Sequence, residues 1–192
     1  MASDRPKGSM EPKIVSRREV VKTPYFALVA KEVAGGRPDD PYYAVETLDY
    51  VTVVAVTARE ELVLVRQYRP VVESYCLELP SGHVDRGESP EASARRELFE
   101  ETGYTAESFE QVCHAKPDIG RLGNRMWCYF ARGAHPAQGP WTPEAGVERL
   151  LCPAERFRGL LRTGEFDHAL HLAALLMVLV KGKLPASFLV EN

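Results

Sequence analysis

One stretch constrains this chain more than any other: Gly82 to Tyr104, GHVDRGESPEASARRELFEETGY, in which Gly82, Glu88, Arg96, Glu97, Glu100, Glu101 and Gly103 stand at set spacings. Its second half predicts a helix over residues 90–102. Ser89 offers an N-cap oxygen, Pro90 has a fixed φ and lacks an N–H the first turn cannot use, and Gly103 suits the left-handed residue that closes a helix. Side chains three and four residues apart are neighbours on such a helix, so Glu97, Glu100 and Glu101 share one face. Like charges this close destabilise a helix unless something neutralises them. No Lys or Arg falls within the arc the three span, which makes a bound divalent cation the simplest partner. Hard oxygen donors without His or Cys favour Mg²⁺, with Mn²⁺ possible, over zinc. Gly82 is expected to turn the backbone tightly and expose the Ser81 carbonyl to the same cation. Leu98 and Phe99, on either flank of the acidic arc, are the expected anchors to a core. Arg96 is expected beside Glu100, within reach of Glu88 in the preceding loop.

A helix rich in Glu and Arg is ordinarily a solvated face. The whole string argues otherwise. Gly82, five residues, Glu88, seven residues, and then Arg96-Glu97-Leu98-Phe99-Glu100-Glu101-Thr102-Gly103-Tyr104 resembles the Nudix box at every charged and glycine position. Tyr104 departs from the family pattern, which has a large aliphatic residue there. The run Val65-Arg66-Gln67-Tyr68-Arg69 and the lead-in Glu78-Leu79-Pro80-Ser81-Gly82 extend the likeness to the ADP-ribose pyrophosphatase subgroup of Nudix hydrolases.

Length and composition suit an ordinary globular enzyme. The 192 residues can bury one good core with a small appended subdomain, and 45% hydrophobic with 27% charged residues is usual globular composition. A formal charge of −3 without a basic cluster argues against a nucleic-acid partner. The most apolar stretch, 169–180, is interrupted by His171 and too short to span a bilayer, so no membrane partner is expected. Cys76, Cys113, Cys128 and Cys152 form no paired motif. With a polar N-terminus that has no apolar signal-like run, they suggest reduced thiols and a cytoplasmic protein.

Before the helix, strand-like runs fall at 13–21, 25–33, 42–46, 51–57, 61–69 and 75–79, with a turn cluster of Gly35, Gly36, Pro38, Asp39, Asp40 and Pro41. After it, 126–131 and 148–152 read as strands. A helix over 153–161 is closed by Gly164, and an apolar helix capped by Asp167 runs to about Lys181. Strands on both sides of a central helix, with more helix at the end, suggest a mixed sheet covered on both faces, an α/β/α sandwich. The resemblance implies the same layering plus a small N-terminal antiparallel sheet. The opening residues, MASDRPKGSM, read as part of a flexible segment at 1–12, and the resemblance divides the rest into a β subdomain at 13–48 serving dimerisation and substrate contacts and a hydrolase domain at 49–192.

The chemistry of such a site is phosphoryl transfer, in which positioning and charge neutralisation do most of the work and no Ser or Cys nucleophile is needed. Glu97, Glu100, Glu101 and the Ser81 carbonyl are the expected metal ligands, with Arg96 supporting them. The resemblance implies a general base on the loop Gly139–Val147, where Glu144 is the candidate and Glu148 the alternative; Glu100 or Glu101 acting directly as base is a further possibility. It also implies that Arg69 reaches a diphosphate, that Lys116–Arg125, with its Pro117, is a specificity loop, and that the protein is a homodimer. Tyr25, Phe26, Tyr42 and Tyr43 are candidates for stacking on a nucleobase. The implied substrate is a nucleoside diphosphate sugar, with ADP-ribose leading. Alternatives are a dinucleotide polyphosphate or nucleoside triphosphate hydrolase, a non-catalytic binding module, or a prenyl diphosphate isomerase, whose cysteine motif is missing.

Overall fold

The computed structural model describes residues 12–37 and 39–188. The N-terminal segment expected to be flexible lies, except for Pro12, outside the described residues, as does Pro38 of the turn cluster.

The chain divides into two units. The first reaches to Thr47 and takes in Asp118–Gly123. Its strands β1 (Ile14–Lys22), β2 (Phe26–Val33) and β3 (Tyr42–Thr47) form an antiparallel sheet in that order. The second strand was expected to begin at Tyr25. The Thr23 hydroxyl instead accepts hydrogen bonds from the N–H groups of Tyr25 and Phe26, which draws Tyr25 into the turn. Val29, Ala30 and Ala44 are buried, whereas β1 is exposed along its length. Asp118–Gly123 is stitched to β3, with Val45 N–H donating to Arg121 O at 2.8 Å and Gly123 N–H to Val45 O at 3.1 Å. The Tyr42 hydroxyl donates to the Gly120 carbonyl.

The second unit holds β4 (Tyr50–Thr57), β5 (Glu61–Arg69), β6 (Ser74–Glu78), β7 (Ser81–His83), α1 (Pro90–Thr102), β8 (Tyr104–Thr105), β9 (Ser108–Ala115), β10 (Met126–Pro136), β11 (Val147–Pro153), α2 (Ala154–Thr163) and α3 (Ala169–Val180). The sheet runs β11-β5-β4-β10-β8, with β6 beside β5, β7 beside β4 and β9 beside β10. Only β4 and β10 run parallel among these pairs, so the sheet is mixed. Alternation along β4 explains the layering. Val51, Val53 and Ala55 pack with Ala94 and Leu98 of α1, while Val54 and Val56 face the opposite way with Phe157, Leu175 and Val178 of α2 and α3. A strand covered on both faces reads as a continuous apolar run, which is why 51–57 is so conspicuous. The fold is an α/β/α sandwich with a separate small antiparallel sheet.

Two local expectations are corrected. The apolar helix α3 is capped by His168, not Asp167: the His168 Nδ1 accepts from the His171 N–H at 3.4 Å. Strand β9, absent from the sequence-based set, pairs with β10 at the sheet edge, where only Val112 is fully buried and the apolar alternation that announces a strand is weak. All four cysteines are free, and among the described residues no helix is long and apolar enough to cross a membrane.

Candidate active site

Helix α1 is built as its sequence demands. The Ser89 Oγ accepts from the Ala92 N–H at 3.2 Å, and Gly103, at φ 70°, donates its N–H to the Phe99 carbonyl at 2.7 Å. Leu98 is fully buried and pins the helix to the sheet, while Phe99 is half-buried at its flank.

The counter-charge on the acidic face is the first correction. Arg96 lies beside the glutamates on the helical wheel, yet its long side chain reaches across them. Its NH1 is 2.7 Å from Glu97 and 2.9 Å from Glu100, and its NH2 donates to Glu88 at 3.0 Å and to the His83 carbonyl at 2.9 Å. These charge-assisted bonds hold the Glu88 carboxyl below its ordinary range and raise the guanidinium further. One guanidinium thus ties the loop before the helix to two helical acids.

Glu101 is different. It is only 6% exposed, and no basic side chain among the described residues pairs with it. Its Oε2 accepts the Ser81 N–H at 2.9 Å. Burial pushes its carboxyl up to about 8; that backbone bond opposes the rise, and the neighbouring charges of Glu97, Glu144 and Glu78 add to it. Burial likewise raises Glu97, against the pull of Arg96.

Gly82 plays a part other than the expected one. It sits inside β7, paired with Val51, and is not among the residues of positive φ. What it supplies is space: a Cβ there would lie 2.1 Å from the carboxyl group of Glu97. The strand thus meets the helix with Ser81 holding Glu101 and Gly82 making room for Glu97.

The donor set fits a hard divalent cation. One guanidinium is shared by Glu97, Glu100 and, from the loop, Glu88, and buried Glu101 has no cation paired with it among the described residues, which leaves an excess of carboxylate oxygens. A second cluster, Glu78, His168 and His171, brings its potential ligand atoms within 4.8 Å of one another. It fits a metal poorly. Arg69 engages both Glu78 oxygens, at 2.6 and 2.7 Å, and the His171 Nδ1 accepts the Leu79 N–H at 3.1 Å, which leaves the imidazole's proton on Nε2. Burial keeps His171 neutral, its pKa well below the usual value.

The remaining candidates fall into two groups. Glu144 lines a cleft of about 370 Å³ with Phe99, Glu100, Pro140, Trp141 and Thr142, whereas Glu148 lies in β11 and faces Arg66 at 3.5 Å. Arg69 is committed to Glu78, a contact that no local sequence pattern signals, although its side chain stays 44% exposed. Pro117 is half-buried. Arg125 is exposed, and its backbone N–H is held by Asp49 at 2.8 Å. Tyr25, 75% exposed, and Phe26, Tyr42 and Tyr43, also exposed, belong to the first unit. Sequence reading missed His171, Trp141 and Arg149, which act through hydrogen bonds to distant backbone that no local pattern announces.

A family model described as the NUDIX domain matches residues 47–175. The chain belongs to the Nudix family. ADP-ribose pyrophosphatase from Mycobacterium tuberculosis (strain ATCC 25618 / H37Rv) is 30% identical over 166 residues, covering 84% of this Nudix chain and 74% of that protein. Mouse (Mus musculus) ADP-sugar pyrophosphatase is 51% identical over 69 residues, 34% of this chain and only 32% of the mouse protein. A solved structure of an ADP compounds hydrolase shares the fold, with a TM-score of 0.76 at 23% identity, covering 93% of this chain and 100% of that one. Nudix hydrolases generally require a divalent metal, and the helix carrying the excess carboxylates lies within the matched region.

Proposed function

We propose that this Nudix protein hydrolyses the diphosphate linkage of a nucleoside diphosphate sugar, with ADP-ribose, yielding AMP and ribose 5-phosphate, as the leading substrate. The observation that carries this reading is the buried Glu101, hydrogen-bonded by Ser81 and lacking a cationic partner among the described residues, beside Glu97 and Glu100. The mouse and mycobacterial relatives, named for ADP-sugar and ADP-ribose substrates, support the substrate class.

Mg²⁺, or Mn²⁺ in its place, would be held by Glu97, Glu100, Glu101 and the Ser81 carbonyl; when bound it supplies neutralisation of phosphate charge and orientation of the attacking water. Arg96 keeps Glu97 and Glu100 in register through the helix and ties them to the Glu88 loop. Glu144, exposed on its loop, takes the proton of the water as it attacks phosphorus, and the P–O bond to the departing phosphate breaks. Arg69, Pro117 and Arg125, with Tyr25 and Phe26 from the small sheet, are proposed substrate contacts. The exposed Val15, Val21, Tyr25 and Tyr43 of the first unit support a homodimer, and four unpaired cysteines support a cytoplasmic setting.

Incubating the protein with ADP-ribose and a panel of other nucleotide sugars, with Mg²⁺ present or chelated, tests the reading. Metal-dependent release of AMP is expected, and Glu101→Gln is expected to slow it by a few orders of magnitude without loss of fold. Full activity of that variant would overturn the assignment. Turnover of no panel member with either metal would favour a binding module.

A further inference from the structure

The last turn of α1 is held from outside the helix. A helix leaves its final carbonyls without intrahelical partners. Here the Glu100 carbonyl accepts the Trp141 Nε1–H at 3.0 Å, and the Thr102 carbonyl accepts from the Arg149 NH1 at 2.6 Å. The Arg149 guanidinium lies 4.9 Å from the centre of the Tyr104 ring and 5.3 Å from that of Trp141. Gly103 completes the seat: a Cβ on it would lie 2.5 Å from the Trp141 ring, so the glycine that ends the Nudix helix also makes room for the indole.

Trp141 is three residues before Glu144, on a loop bounded by Gly139 at φ 104° and Gly146 at φ 84°. Between them Thr142, Pro143, Glu144 and Ala145 are exposed, whereas Trp141 is half-buried. A segment with a left-handed glycine at either end and solvated residues between them has, beyond the Val147 N–H donating to the Glu144 carbonyl at 3.1 Å, little of its own to fix where its acid points. The Trp141 contacts supply that fix, and they fall on Glu100 and Gly103, residues of the metal-binding helix itself.

We infer that Trp141 is a positioning residue for the proposed base, its indole docked on Gly103 and bonded to the Glu100 carbonyl so that Glu144 is held against the acidic face of α1. This rests on the reading of Glu144 as base. Arg149, spanning the Thr102 carbonyl and the indole, backs the dock from the β11 side.

The experiment uses the full chain with ADP-ribose and Mg²⁺ and compares Glu144→Gln, Trp141→Ala, Trp141→Phe and the double variant Trp141→Ala/Glu144→Gln. Glu144→Gln is expected to lower kcat by about a hundredfold or more. Trp141→Ala should lower kcat at least tenfold with KM changed less than about threefold, since a misplaced catalytic group costs turnover more than binding. Trp141→Phe, which keeps a ring on Gly103 but loses the N–H, should fall between. The double variant should be no slower than Glu144→Gln, because Trp141 acts only through that carboxylate. Hydrogen exchange supplies a readout independent of turnover: amides of 139–147 should exchange faster in Trp141→Ala, with those of α1 ahead of its last turn unchanged. If Trp141→Ala does not fold, Trp141→Phe and its Glu144→Gln double variant carry the same comparison. Wild-type kcat in Trp141→Ala, unchanged exchange in the loop, or a double variant slower than Glu144→Gln by the full Trp141 factor would overturn the inference. Full turnover in Glu144→Gln would instead remove the base reading and the inference with it.

Discussion

Metal binding at the proposed site should displace a proton, and Glu101 should set the pH at which it does so. The Glu101 carboxyl is pushed up to about 8, chiefly by burial, so at pH 7 most of the metal-free protein carries it protonated. A cation needs the carboxylate, and binding must therefore release that proton. Between pH 6 and 7 the apparent Mn²⁺ affinity should rise close to tenfold, about 1.4 kcal/mol per pH unit, and level off above about pH 8. At pH 6 binding should be roughly a hundredfold weaker than at the plateau. Calorimetric titration with Mn²⁺ at pH 6.5, in buffers of different ionisation enthalpy, counts the protons released; about one is expected, and Glu101→Gln should remove it. The same shift governs metal-free stability. The folded state holds this proton more tightly than the unfolded chain, so the contribution is complete below the unfolded carboxyl pKa and is lost as pH rises through about 8. Metal-free Glu101→Gln should consequently melt higher than the wild type at pH 9, by the equivalent of a few kcal/mol, on the order of the shift itself. An Mn²⁺ affinity that is flat from pH 6 to 8 with no proton release would refute the reasoning.

Three other outcomes follow from individual contacts. His171 is buried and neutral, with a folded pKa well below that of the unfolded chain, so its share of stability is present above about pH 6.5 and lost as pH falls below it; urea unfolding at pH 5 and 7 should show a flatter pH dependence in His171→Gln. His171→Leu should in addition cost about 1–3 kcal/mol, because the Leu79 N–H loses its acceptor. Arg69→Lys cannot reproduce the two-pronged contact to Glu78, whose side chain is 2% exposed; with Arg69 itself 44% exposed to screening solvent, a loss of about 1–3 kcal/mol in thermal stability is expected. Gly82→Ala places a methyl on the Glu97 carboxyl group and should fold yet bind Mn²⁺ about 10–100-fold more weakly by calorimetry.

What was legible in the sequence was local. The caps of α1 are set by Ser89, Pro90 and Gly103 within a few residues of the ends they close, and the common face of Glu97, Glu100 and Glu101 follows from helical spacing alone. Strands β4 and β5 were legible because helices on both faces of the sheet require unbroken apolar runs. What failed was reach and distance. Counting positions around a helix put Arg96 outside the acidic arc, yet an arginine side chain is long enough to bridge Glu97 and Glu100 from beside it. The need for Gly82 depends on Glu97, a residue on another element, and the bond from Leu79 to His171 joins residues 92 positions apart. The missed strand β9 sits at an edge, where one exposed side leaves little hydrophobic signature.

The three helical glutamates are held in three different ways, and the difference locates the sensitive part of the site. Glu100 is exposed and held by Arg96 alone; Glu97 is held by Arg96 in a space that Gly82 leaves open; Glu101 is buried and held by the Ser81 N–H. Two of the three therefore depend on the backbone of 81–82. That backbone is fixed from the opposite direction, because β7 pairs with β4, the Pro80 carbonyl accepts from the Val53 N–H at 2.9 Å, and the Leu79 N–H is taken by His171 of α3. A helix on one face of the sheet thus steadies the strand that shapes the acidic face of the helix on the other. Disturbance of His171 should reach the acids proposed to bind metal by moving peptide 79–82, although the imidazole touches none of them.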